Sequence, residues 1–276
     1  MSNKSGCIIG TIIAAAGIVS GAMLFRRMKN LPVATERVDL LGVLVDPLTM
    51  ETAIQRIDGF IQSGTPHHIV TADASGIMRA GETPEFGDIV RRADLVTADG
   101  AGVLLATKLC GQRMPERVSG CDLVEQICAL SATKGYPVYL FGAAEGIAQQ
   151  AADKLVSRHP GLLIGGTRNG FFSAEEEPQI VQEIAATGAR VIFVALGIPR
   201  QEQFIRQYFD ALQVPVLIGV GGSFDVISGN LKRAPRWMQV TSIEWLYRLA
   251  QEPKRLPRMM ALPRFVVAVW KARQSR

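Results

Sequence analysis

Short apolar runs that each end in a carboxylate or a glycine recur through the middle of the chain, and this constrains the fold more than any other feature. HHIVTAD (67–73) and LVTAD (95–99) end in Asp73 and Asp99. PVYLFG (137–142), RVIFVALG (190–197) and VPVLIGVG (214–221) end in Gly142, Gly197 and Gly221, and residues 162–166 form a further short run. Strands apolar at every position are buried on both faces, and amphipathic helices between them make the sheet parallel. The expected fold is therefore α/β: a Rossmann-like, largely parallel sheet with helices on both faces. VDLLGVLVD (38–46) reads as an opening strand or hairpin, and Thr49 as the cap of a helix to about residue 62. Further helices are expected after residue 73 and over 101–109, 123–133, 145–158 and 201–212. Ser173 with Glu176 has the spacing of a capping box opening another helix to about 187. No internal repeat stands out.

Charge divides the chain. The net charge of +5 is not evenly placed: residues 232–276 hold eleven basic residues against Glu244 and Glu252, and the rest is mildly acidic. A basic tail on an acidic body points to an anionic partner, or else to a solvated basic helix. At the other end, residues 5–25 carry no charge and are followed by Arg26, Arg27 and Lys29. As a helix, such a stretch rises about 30 Å, the thickness of a bilayer's hydrocarbon. The basic flank places the remainder of the chain on the cytoplasmic face. Small residues at Ser20-Gly21-Ala22 leave a cleaved signal peptide as the alternative. The expected organisation is a membrane anchor over 1–30, an α/β core over 31–229 and a basic, helical, membrane-associated appendage over 230–276. Four cysteines and three histidines, scattered, suggest free thiols and no metal centre.

In an open parallel sheet, ligands bind outside the carboxyl ends of the strands. Asp99, in TADGAG (97–102), is either the cap of the next helix or a general base. Arg117, in a turn-rich loop, either pairs with Glu116 at the surface or neutralises a phosphate. Gln201 follows the strand end at Gly197 and is either a solvent-facing first-turn residue or part of the site. The loops at Gly142 and at Gly221-Gly222 resemble phosphate-approaching turns. Asp225 either binds a ribose or base, or caps the helix it opens. These features support a nucleotide- or phosphate-using enzyme without choosing its reaction.

The ordered set TADASG (71–76), LVTADGAGV (95–103), PERVSGCDL (115–123), FGAAEG (141–146), GFF (170–172), VALGIPRQEQF (194–204), GVGGSFDVISG (219–229), KRAPRW (232–237) and EWLYRLAQEPKRLPR (244–258) resembles the WecG/TagA/CpsF glycosyltransferases. The likeness runs over about residues 38–264. It implies an inverting transfer of an N-acetylmannosamine- or glucose-type sugar from a UDP-sugar to a polyprenyl-diphosphate-linked sugar, in cell-surface polysaccharide synthesis and without a metal or other cofactor. It also implies Asp99 as base, Thr71 as a pocket residue, Arg117 and Gln201 as needed for activity, and Asp225 near the nucleotide. Arg248, Arg255 and Arg258 would meet the diphosphates. The chain departs from the family where Asp73 replaces the usual asparagine of the first motif, exchanging an amide for a carboxylate near Asp99. The N-terminal apolar stretch is a second departure.

The resemblance places the catalytic domain at the cytoplasmic membrane, on an anionic surface and without nucleic acid as a partner; homo-oligomerisation stays open. The segment 256–270, broken by Pro257 and Pro263, is too short to span a bilayer. It is expected either in the membrane interface, with Met259, Met260, Phe265, Val266 and Trp270 toward the acyl chains, or packed on the core. Two other classes stand beside the transferase. A nicotinamide oxidoreductase shares the sheet but lacks an early GxGxxG turn here. A membrane-anchored nucleic-acid binder accounts for the tail's aromatics and cations but not for the strand-end carboxylates.

Overall fold

The computed structural model describes residues 31–235, 237–238, 244–253, 256 and 260–274. The expected anchor at 5–25 and the expected diphosphate ligands Arg255 and Arg258 lie outside them, and Arg248 is described in its backbone only. Among the described residues, no helix is long and apolar enough to cross a membrane.

The apolar runs form one sheet. β3 (His67–Ala72), β4 (Leu95–Ala98), β5 (Val138–Gly142), β6 (Ile164–Arg168), β7 (Val191–Ala195) and β8 (Val216–Gly219) lie in the order β4-β3-β8-β7-β5-β6. Every pairing in this sheet is parallel. The opening segment is the hairpin reading: β1 (Val38–Leu40) and β2 (Val43–Val45) pair antiparallel as a separate two-stranded sheet. From β3 the chain moves outward to the β4 edge. It then crosses to build β5 and β6 and returns through β7 and β8 to lie against β3. β3 and β8, first and last along the chain in this sheet, thus lie side by side near one edge.

Helices cover both faces. On one side Ile69, Leu95, Leu140, Phe193 and Ile218 pack against α1 (Met50–Ser63), α5 (Gly120–Lys134) and α6 (Ile147–Arg158). Alternate residues of the same strands face the other side. Tyr139, Phe141, Ile192 and Val194 meet α7 (Glu177–Ala186) and α8 (Arg200–Gln207). Val70, Ala72, Val96 and Ala98 share a third cluster with α2 (Ala74–Glu82), α3 (Pro84–Arg91) and α4 (Ala101–Leu109). Phe265 and Val269, both buried, join that cluster from the C-terminal helix.

Local chemistry sets the boundaries. Thr49 caps α1 through a reciprocal pair with Thr52. Ser173 and Glu176 make the expected capping box, but over a 3₁₀ turn (Ala174–Glu176) that leads into α7. The single helical stretch expected after residue 73 is two helices. Pro84 opens α3, and the residue before a proline is driven to extended backbone, as at Thr83. β6 runs over Ile164–Arg168 rather than 162–166, and its register against β5 shifts beside Val138, where Gly165 is passed over. α8 ends at Gln207 rather than near 212, the chain continuing there in turns. After β8 come α9 (Ser223–Ser228), α10 (Glu244–Gln251) and α11 (Ala261–Gln274).

α11 corrects part of the interfacial picture of the tail. Phe265, expected toward acyl chains, is fully buried against α2 and α4. Val267, Trp270 and Met260 remain exposed on the outer side. Packing is close: a Cβ on Gly102 of α4 would sit 2.4 Å from Leu262 Cδ1 and 3.1 Å from Ala74 Cβ, so a larger residue there requires the Leu262 side chain to shift.

Candidate active site

The loops after β3, β4, β7 and β8 converge on a cavity of about 220 Å³. Thr71, Asp73, Asp99, Arg117, Gln201, Gly221 and Gly222 all line it. Gly142, Gly197 and Asp225 do not. Gly142 ends β5 and Gly197 follows β7 outside the cavity lining, while Asp225 accepts a hydrogen bond from Asn230 Nδ2 at 3.1 Å beyond the loop.

The two strand-end carboxylates divide their tasks differently from the capping alternative for Asp99. Asp73 is the cap. Its Oδ1 accepts from Gly76 N–H and from Ser75 Oγ, both at 2.7 Å, and opens α2. Asp99 does not cap α4, whose cap is Gly100. Its backbone N–H is held by Ala72 C=O at 2.9 Å, and its Oδ2 accepts Gly120 N–H at 3.1 Å. That amide reaches it because the loop 115–120 lies along β4. Val118 N–H donates to Ala98 C=O at 3.0 Å, and Thr97 Oγ1 donates to Val118 C=O at 3.1 Å. A half-buried carboxylate at the cavity wall is thereby held through backbone N–H groups.

The same loop delivers Arg117. Its partner is not Glu116, which accepts the N–H of Met50 instead. Arg117 Nη1 donates to Glu244 Oε2 at 2.9 Å, and Nη2 reaches Asp122 Oδ2 at 3.4 Å. Asp122, in the first turn of α5, also accepts from Ser119 Oγ at 2.6 Å and from Arg233. Burial pushes the Asp122 carboxyl up, but the Ser119 and Arg233 hydrogen bonds and the charges of Arg233 and Arg117 outweigh it and hold the group below the usual carboxylate range. Arg233, with its guanidinium held to Asp122, is held above its usual value despite its burial. Among the described residues, Arg117 and Arg233 line the cavity, each held by acidic side chains. Among the described residues, no group of three His, Cys, Asp or Glu is placed to hold a metal ion.

Gln201 does not face solvent: it is buried, and its Oε1 accepts Gly221 N–H at 3.0 Å. Thr71 Oγ1 donates to Gly219 C=O at 2.8 Å, joining β3 to β8 at the cavity floor. Residues 230–276 supply a whole wall, through Arg233, Glu244, Trp245 and Leu262. Sequence reading does not single out Arg233, Glu244, Trp245, Ser119 or Asp122 as site residues. Their signal lies in PERVSGCDL, KRAPRW and EWLYRL, where motif residues stand away from any apolar run.

A family model described as the glycosyl transferase WecG/TagA/CpsF family matches residues 38–276. A protein of Bacillus spizizenii (strain ATCC 23059 / NRRL B-14472 / W23) named N-acetylglucosaminyldiphosphoundecaprenol N-acetyl-beta-D-mannosaminyltransferase is 36% identical over 203 residues, covering 74% of this chain and 78% of the relative. A protein of the same name from Bacillus subtilis (strain 168) is 33% identical over 192 residues, covering 70% and 74%.

Proposed function

The chain belongs to the glycosyl transferase WecG/TagA/CpsF family, and from that membership we propose that it moves N-acetylmannosamine from a UDP-sugar to N-acetylglucosamine carried on a polyprenyl diphosphate. The observation that carries the mechanism is Asp99, a carboxylate positioned at the cavity by the N–H of Gly120, the first residue of α5. A sugar hydroxyl is too weak an acid to ionise unaided near pH 7. Asp99 accepts its proton as the oxygen attacks the anomeric carbon, and the bond to the UDP oxygen breaks on the opposite face. One displacement inverts that centre. The diphosphate leaves with added negative charge, and Arg117 and Arg233 are the cations in the cavity to receive it. No metal is required for this sequence of steps.

A lipid acceptor fixes the place of reaction at a membrane. The basic appendage and the uncharged stretch at 5–25 are suited to hold the catalytic domain there, in synthesis of a surface polysaccharide. Membership in a transferase family favours this reading over the oxidoreductase and nucleic-acid alternatives. The test is a panel of UDP-sugars offered with a polyprenyl-diphosphate-N-acetylglucosamine acceptor, the product read by mass. UDP-N-acetylmannosamine is expected to be used. Asp99→Asn is expected to lower turnover by about 100-fold or more while UDP binding persists. Use of a different sugar overturns the donor assignment, and near-normal turnover in the variant moves the base to Asp73 or to water.

A further inference from the structure

Below the cavity floor runs a polar chain that the transfer steps above do not use. Gln201 and Glu202 open α8 and are each 1% exposed. Gln201 Nε2 donates to Glu202 Oε1 at 2.7 Å, while Gln201 Oε1 accepts Gly221 N–H at 3.0 Å. Strand β8 makes room for the pair. A Cβ on Gly219 would lie 2.4 Å from Gln201 Nε2 and 3.0 Å from Glu202 Oε1. The carbonyl of that same glycine takes the Thr71 hydroxyl.

An amide has a donor end and an acceptor end. Gly221 N–H can only donate, so it demands the Gln201 oxygen, and the Glu202 oxygen then takes the NH₂. The flipped amide would set N–H against N–H and oxygen against oxygen in a buried place, where unmet polar groups are most costly. Gln201 therefore has one orientation, fixed from both ends. Gly221, Gly222 and Ser223, at the far end of this chain, line the cavity.

We propose that Glu202 is a positioning residue that locks the Gln201 amide and, through it, the cavity-lining backbone of residues 221–223. Gln201 then serves the reaction by holding that loop rather than by touching the sugar. That the loop meets the UDP diphosphate rests on the transferase reading; that Glu202 orders the loop does not.

The experiment combines UDP titration by calorimetry with hydrogen exchange of the Gly221 amide in the ligand-free, full-length protein. Glu202→Leu and Gln201→Leu are each expected to weaken UDP by about tenfold, and the double variant by no more than about tenfold, since all three cut the same chain. Exchange at Gly221 rises by at least about tenfold in each. Glu202→Gln keeps an acceptor oxygen for Gln201 and stays within about threefold of wild type. Gln201→Glu alone sets two carboxylates together and is worse than either leucine variant. The reciprocal pair Gln201→Glu with Glu202→Gln has the wild-type composition and restores donor to acceptor, so it regains most of what the single change loses.

Additive losses in the double leucine variant, or unchanged exchange at Gly221 in Glu202→Leu, overturn the proposal. So does a reciprocal pair that folds with wild-type stability yet regains nothing, because Gln201 then touches the substrate itself. If Glu202→Leu does not fold, Gln201→Glu against the reciprocal pair decides alone. Wild-type protein that fails to bind UDP removes the transferase reading, and Gly221 exchange still tests the chain.

Discussion

His68, at the start of β3, is buried, and its Nε2 has no hydrogen-bond partner among the described residues. Burial, with the nearby positive charge of Arg206, pushes its pKa down from 6.5 to about 3. The unfolded chain therefore takes up a proton near pH 6.5 that the folded protein refuses. The stability linked to His68 is complete above about pH 6.5 and declines as pH falls toward 3, by on the order of 1.4 kcal/mol per unit. Asp122, whose pKa is also lowered, adds an acid loss of the same sign, beginning only below its ordinary 3.8. Thermal melts between pH 7 and about 5.5 stay above the range in which carboxylates with lowered pKa take up protons, and so report chiefly on the histidine. His68→Leu is expected to flatten the fall in Tm across that range, and an unchanged slope would assign the acid loss elsewhere. At this scale sequence reading goes only part of the way. It places Asp73 and Asp99 at strand ends, because apolar runs stop there. Both line the cavity; that Asp73 caps α2 while Asp99 takes the Gly120 amide depends on a loop pairing along β4 that no local pattern encodes.

The strands are the elements most legible in the sequence, since a strand buried on both faces has no other way to be written. Helices are legible where a cap or a proline marks them, as at Thr49, and blurred where turns continue a helical pattern, as beyond Gln207. α11 shows the limit. Its sequence mixes apolar and basic residues in a way that suits a lipid interface and a protein core equally, and its neighbours decide. The packing separates the two by residue. Phe265→Ala is expected to cost about 3–5 kcal/mol of unfolding free energy, whereas Val267→Ala and Trp270→Ala on the exposed side should each cost below about 1 kcal/mol. Urea denaturation measures all three. Equal, small effects would show that α11 contributes nothing to the core. Truncation after Gly229 removes Phe265 and Val269 together, so that shortened chain is expected to be unstable rather than merely inactive.

Across the whole molecule, the sheet supplies the cavity floor and one side, and residues from beyond 230 supply the other. This arrangement is not readable from spacing, because Arg117 and Glu244 are 127 positions apart when they meet. Their pairing leads to a prediction about UDP. The Arg117 guanidinium, which on the proposed reading receives the diphosphate, is already held by Glu244 Oε2 at 2.9 Å, in surroundings where both side chains are mostly shielded from water. Glu244→Gln keeps the shape and removes the competing charge. It is expected to bind UDP several-fold more tightly and to show a fast first turnover followed by a slower steady state. Weaker UDP binding in that variant would show instead that the pair merely fastens the appendage.

If the proposed transfer holds, the resting protein carries its own anion where its leaving group would go. Each cycle would then be an exchange of one anion for another, the carboxylate yielding on arrival and returning on departure. A spent nucleotide would be displaced by the protein's own tail rather than left to drift out, and that return would pace turnover.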